Sequence, residues 1–491
     1  MILIPLASLR YLSGMLRRTR GRRLPLLGAL LLCDVARAVA PDALPVDGLI
    51  REGGIAITRD ACGMEIRQTG ERAIVDWRSF DVGRDASLRI AQPSAAAMLL
   101  NRVRGETGST IAGQLHANGR VYLVNPNGIR ISSGGTVHAA GFVAATLDIA
   151  NHDFMSGNLH FGALGQPSTG TVIHDGRIAI APGGFAALLG HRIVQTGTTR
   201  ALLGQTGLGV GQAIRLLPGQ DTFLEVTLLG EHSPADSGDL MDRRVGIVMT
   251  GVIEADGGLV QIVAPMATAH GRRPLEAVNL AGVVRARNAF ARNGTIRVDG
   301  DGGIVRLSGR LDASSNEMHG TLHPGGTVEI DGQQVMMEDE GIDVSGALGG
   351  GRIRIAARRA ASGDGASVRD GSPGPGGEAG VDPMVFVGAW ARINASATYR
   401  GDAGDVALVS DGRVVFLGRG QALGAASAPG PSRLTVVAET AVHDTAHRGT
   451  GATTSHAPAL ANWQPSPRVE ELPSLRWTPS PIAAPAWSDD T

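Results

Sequence analysis

A chain of 491 residues with 43% hydrophobic side chains, 19% charged side chains and a formal net charge of −1 is too apolar and too neutral for an intrinsically disordered polymer. The charge balance argues against a nucleic-acid partner, and 70 Gly without a three-residue period exclude collagen. Aromatics are only 3%, so the core must be filled by Val, Ile, Leu and Ala, which favours many thin, similar layers over one thick centre.

In chain order, Arg17, Arg18, Arg20, Arg22 and Arg23 precede the apolar run Leu24 to Leu32, and Ala36-Arg37-Ala38 or Ala38-Val39-Ala40 supplies small residues for cleavage. That order predicts a secretory leader over residues 1–40. The run is too short to span a bilayer, and nothing comparable recurs downstream. Cys33 falls inside this leader, so the mature chain would retain Cys62 alone and form no internal disulfide.

From about residue 48 to 425 a single grammar recurs: a Gly, a short alternating apolar segment, a Gly pair, and another such segment. Gly251-Val252-Ile253-Glu254-Ala255 before Gly257-Gly258-Leu259-Val260-Gln261-Ile262 is one case, and Gly294-Thr295-Ile296-Arg297-Val298 before Gly302-Gly303-Ile304-Val305-Arg306-Leu307 is another. Each segment reads as a period-two strand with one face inward. Strands this short do not make a stable hairpin sheet alone, but stacked coils let each pair with its neighbours above and below. The predicted fold is therefore all-β, a parallel β-helix, with a pair of β-sandwiches as the competitor. At about 20 residues per coil it would run to roughly 19 coils.

The most informative stretch runs from Asp76-Trp77-Arg78-Ser79-Phe80 through Gln92-Pro93-Ser94 and Asn101-Arg102-Val103 to Val121-Tyr122-Leu123-Val124 and Asn125-Pro126-Asn127-Gly128-Ile129. Val121 and Leu123 are expected to point inward, and Pro126 then ends the ladder. Asn125 to Gly128 is a strong β-turn sequence: Asn bonds back to the backbone, Pro presets φ and Gly closes. Ile129 and Ile131 then restart an inward-facing strand.

This order of motifs, with Ala140-Gly141-Phe142-Val143-Ala144-Ala145 and Asp153-Phe154 following, resembles the N-terminal secretion domain of two-partner secretion exoproteins, the filamentous haemagglutinin family. The resemblance covers about residues 46–290 well and continues more loosely to about 420. It implies a right-handed β-helix capped at its N-terminus. It also implies passage through the periplasm of a Gram-negative bacterium and export through an outer-membrane β-barrel transporter with periplasmic docking domains. It carries a transporter-recognition role to Asn125, Pro126, Asn127, Gly128 and Ile129, and less firmly to Asn101, because an upstream Asn-Pro-Asn-Leu motif found in some members is lacking. On this reading 41–290 is the secretion domain, 291–425 continues the repeats, and the protein is secreted or held at the cell surface as an adhesin or surface-binding protein.

Two stretches break the grammar. Residues 358–382, rich in Gly and Pro, read as an excursion leaving the rod. From about 426 to 491 Ala, Pro, Ser and Thr dominate and the segment reads as a disordered tail holding Trp463, Trp477 and Trp487.

Other motifs are weaker. Arg400-Gly401-Asp402 would be a receptor ligand on an exposed turn, with a plain turn as the favoured reading. Asn293-Gly294-Thr295 and Asn394-Ala395-Ser396 fit the glycosylation acceptor pattern. Asp299-Gly300-Asp301-Gly302 lacks the third acidic residue of a calcium loop. The His residues show no close metal spacing, so no metal or cofactor is expected. The alternative function is a polysaccharide lyase or hydrolase built on the same fold, which would place Asp, Glu or Arg at matching positions on successive coils. The acidic residues read as scattered, which favours the adhesin, with a host-cell receptor or glycan as its binding partner, over catalysis.

Overall fold

The computed structural model describes residues 39–164, 170–227, 245–265, 276–289, 292–315, 322–359, 382–422, 424, 433–438 and 440–443. They form a three-faced parallel β-helix of twelve coils. The first face starts at Gly63–Gln68 and Ser87–Ala91, the second at Arg72–Trp77 and Met98–Val103, and the third at Ser109–Ile111 and Ile129–Ile131. Each strand pairs in parallel with its counterpart one coil on, down to Arg419–Gln421, Arg433–Val437 and Thr440–His443. At about 4.8 Å per coil the stack rises roughly 50 Å.

Twelve coils replace the expected nineteen or so, because a full coil carries three strands and several are interrupted. Arg177 stacks on Thr198 after 21 residues, whereas Thr198 stacks on Val252 only after 54. The last two strands also carry the stack beyond residue 425, where composition placed its end. Residues 1–38 of the expected leader over 1–40, most of the 358–382 excursion, and the three tail tryptophans lie outside the described residues.

Inside, aliphatic side chains stack in register. On the first face Leu115, Val137, Ile178, Thr199, Ile253, Val284, Leu311, Ile342 and Ile393 form one continuous ladder. Val121, Leu123, Ile129 and Ile131 point into the same core, as the alternation predicts. The glycine grammar has a steric cause. Gly197, Gly251, Gly282 and Gly309 stack at one corner, where a Cβ on each would collide with the carbonyl of the glycine one coil earlier. That carbonyl accepts the N–H of the strand that follows, as in Val252 to Gly197 at 3.0 Å and Arg310 to Gly282 at 3.0 Å. A side chain there would push the coils apart.

The N-terminal end is closed by two antiparallel strands, Leu49–Glu52 on Arg72–Trp77 and Ile55–Arg59 on Gly63–Gln68. They cover edges that would otherwise invite pairing with another chain. A second apolar cluster lies outside the second face, which the repeat grammar does not predict. There Ile74, Leu100, Tyr122, Val143 and Ala187 point outward in register under a helix, Asn151–Ser156, and a three-stranded antiparallel sheet of His160–Gly162, Ala213–Leu216 and Leu224–Thr227. Phe154, Phe161, Phe185 and Phe223 fill it. The scarce aromatics are thus concentrated where a thick layer is needed.

Candidate partner-recognition corner

Residues 125–129 turn the third coil from its second face to its third. The Gly128 N–H donates to Asn125 O at 3.0 Å, which makes a β-turn with Pro126 and Asn127 at its centre. Gly128 follows at φ +111°, a backbone that favours glycine, and a Cβ there would lie 3.1 Å from Thr171 O.

The Asn125 side chain is fully buried. Its Oδ1 accepts the Asn127 backbone N–H at 3.0 Å, and its Nδ2 donates to Thr107 O and Ser109 Oγ, both at 3.0 Å. The Asn125 N–H donates to Ala145 O at 2.9 Å. The residue thereby ties its coil to the ones before and after it, and its amide faces inward. Ile129 is buried in the core. Pro126 is half-buried, and Asn127 is exposed, its Nδ2 donating to Gly105 O at 2.8 Å. Of the five motif residues, these two form the outer surface.

Asn101 is likewise inside. It lies between Val75 and Leu123 in the ladder, and its Oδ1 accepts the indole N–H of buried Trp77 at 3.1 Å. The structure therefore places it among core supports rather than on a docking surface.

Beside this corner lies a charged cluster that the motif reading missed. Arg102, 3% exposed at its side chain, pairs with Asp148 at 2.8 Å and Asp76 at 3.5 Å. It also donates to Asn151 Oδ1 at 2.8 Å and to the Ile149 carbonyl. Arg104 meets the same two carboxylates, and Arg51 of the cap reaches Asp76 at 2.8 Å. Cap, second face and the 146–162 insertion are thus joined through one buried guanidinium. The available signal was a charge inside the apolar run Met98-Leu99-Leu100-Asn101-Arg102-Val103.

The remaining candidates are dispersed. Arg400, Gly401 and Asp402 form an exposed turn leaning on the previous coil, with Gly401 at φ +94° and Arg400 N–H bonded to Ala347 O at 2.8 Å. Arg400 also lies over the Tyr399 ring at 5.2 Å. Asn293 is exposed. Asn394 is half-buried, its Nδ2 donating to Asp343 Oδ1 at 3.2 Å and its Oδ1 accepting Ser396 N–H at 3.2 Å. The Asp299 carboxylate accepts the Asp301 N–H at 3.0 Å, as a plain turn requires.

Asp312 and Asp343 do stack on successive coils, so the acidic residues are less scattered than the sequence suggests. Their Oδ1 atoms, however, each accept both the N–H and the hydroxyl of the serine two residues on, Ser314 and Ser345. Arg310 meets their other oxygens at 3.2 and 3.6 Å. They cap a repeated corner and are occupied by it. Among the described residues no three His, Cys, Asp or Glu side chains converge on a metal position.

The chain is 37% identical over 140 residues to a heme/hemopexin-binding protein of Haemophilus influenzae strain Rd, and 44% identical over 86 residues to another protein of that description from Haemophilus influenzae. The stretches cover 27% and 18% of this chain, but only 15% and 9% of those relatives. The solved HMW1 secretion domain from Haemophilus influenzae superposes with a TM-score of 0.61 at 20% identity, covering 82% of this chain and all of that one, a likeness of fold. The TPS secretion domain model matches residues 44–306, more than half of the chain. The chain therefore belongs to the TPS secretion domain family, the N-terminal domains of exoproteins secreted by the two-partner route.

Proposed function

We propose that the corner at Asn125–Ile129 is the surface by which an outer-membrane β-barrel transporter with periplasmic docking domains selects this chain. In this reading the leader over 1–40 directs passage to the periplasm, residues 41–290 act as the transport address, and the coils beyond carry an adhesive or surface-binding role toward a host-cell receptor or glycan. The observation that carries it is the division of labour in the motif: Asn125, Gly128 and Ile129 are buried and shape the turn, while Pro126 and Asn127 lie outermost. Export through a barrel also suits a chain whose short strands, ladders and glycine corners let it refold coil by coil on emergence.

The test is release to the medium from cells expressing the cognate barrel. Pro126→Ala/Asn127→Ala should leave the circular dichroism spectrum unchanged and cut release severalfold. Normal release of that folded double variant would overturn the reading and leave the motif as a structural corner. The binding role is tested separately, by whether the secreted chain adheres to host cells and loses adhesion on glycosidase treatment of those cells.

A further inference from the structure

His116 and His138, 22 residues apart in sequence, are brought face to face by the coil register. They pair directly across neighbouring parallel strands of the first face. Their rings stack with centroids 4.9 Å apart and planes 7° from parallel, and both side chains are exposed. Gln114 lies two residues before His116 on the same outward side, with its Oε1 3.3 Å from His116 Nε2, and Thr136 is its neighbour on the next strand. Two imidazoles, an amide oxygen and a hydroxyl thus occupy one patch of rigid sheet.

We infer that this patch is a surface site for a divalent transition metal of the zinc class, with His116 and His138 as nitrogen ligands, the Gln114 carbonyl oxygen as a third donor, and water completing the shell. Zn²⁺ takes His nitrogens at about 2.0–2.1 Å, so the two nitrogens must come within about 4.2 Å of each other. From stacked, solvent-facing rings that requires only a tilt about side-chain bonds, while the strands hold the Cα positions fixed. Neutral imidazole is the ligating form.

The experiment is calorimetric titration of the full chain with ZnCl₂ at pH 7.5, with His116→Ala, His138→Ala and, as a control, His152→Ala on the exposed helix. Because the first two side chains are exposed, all variants should melt together in metal-free buffer. The wild type and His152→Ala should bind one Zn²⁺ with equal affinity, and each of the other two should lose tenfold or more. Added Zn²⁺ should raise the melting temperature of the first pair only. Wild-type affinity in either His116→Ala or His138→Ala, or an equal loss in His152→Ala, would overturn the assignment.

Discussion

A carboxylate can replace an amide as an acceptor but not as a donor, and Asn125 uses both abilities. From the sequence, Asn125→Asp should be mild if the residue only shapes a turn, since the turn needs only an acceptor. The structure reverses that expectation. The substitution removes both donors and sets a carboxylate against Thr107 O in a fully buried place. We expect a loss of about 2–3 kcal/mol in urea unfolding. Wild-type stability in Asn125→Asp would contradict the internal role. Tyr122 offers the opposite case. Its hydroxyl is buried in the outer apolar cluster without a hydrogen-bond partner among the described residues, and burial raises its pKa. Tyr122→Phe should therefore be neutral or stabilising by about 1 kcal/mol, read as an unchanged or higher melting temperature.

His174, inside the third face, gives a pH signature. Burial holds its pKa down to about 4, against the ordinary 6.5. The unfolded chain takes up a proton as pH falls through 6.5, whereas the folded chain does so only near 4. The stability contributed is present in full above about pH 6.5 and is lost progressively as pH falls toward 4, by up to about 3 kcal/mol. His174→Leu should flatten melting temperature against pH across that window. An unchanged slope would show that other groups set it.

Among the elements, the 146–162 insertion depends on two anchors. Phe154 packs edge-on against Tyr122 at 5.2 Å, and Arg72 donates to the Met155 carbonyl at 2.8 Å near the helix C-terminus. Phe154→Ala should cost about 3–5 kcal/mol and open the insertion to protease before the coils. Arg102 is the second kind of anchor, a buried charge whose removal leaves Asp76 and Asp148 only the half-exposed Arg51 and Arg104 as partners. Arg102→Ala should cost about 3–5 kcal/mol, whereas replacing the whole cluster by apolar residues would cost far less. Equal losses for the two would mean that packing matters there more than charge. Later coils are instead joined by half-exposed pairs, Glu254–Arg285, Arg297–Glu329 and Asp331–Arg354, each at 2.9 Å. Such pairs contribute little energy. Their alternation of sign from coil to coil opposes a slip in register between very short strands.

At the scale of the whole β-helix, stability is a sum over neighbouring coils. The early coils carry two cores, one inside and one beneath the insertion, and the later coils carry one. Hydrogen exchange should therefore show stronger protection on the second-face strands Met98–Val103 and Arg120–Val124 than on Arg352–Ala357 and Asp405–Ser410. Uniform protection along the stack would indicate one cooperative unit and a negligible contribution from the outer cluster. Circular dichroism should show little helix, since Asn151–Ser156 is the one α-helix among the described residues.

The alternation of Val, Ile and Leu between glycines determined the class of fold, because a period of two with tight corners has few ways to bury one face. It also determined the turn at Asn125–Gly128, whose residues fix their local conformation. Three strands per coil, and hence twelve coils, were settled only by tertiary structure, since nothing local distinguishes one side of a coil from another. The outer cluster had a legible trace in the unbroken apolar runs around Leu100, Tyr122 and Val143, which signal burial on both faces. What covers them comes from residues 151–162 and 213–227, and no periodicity links such distant segments. The direction in which the Asn125 amide faces, the convergence of Arg51, Arg102 and Arg104 on two aspartates, and the stacking of His116 on His138 all depend on which coil lies above which. Register between coils is a property of the stack, and a one-dimensional pattern does not contain it.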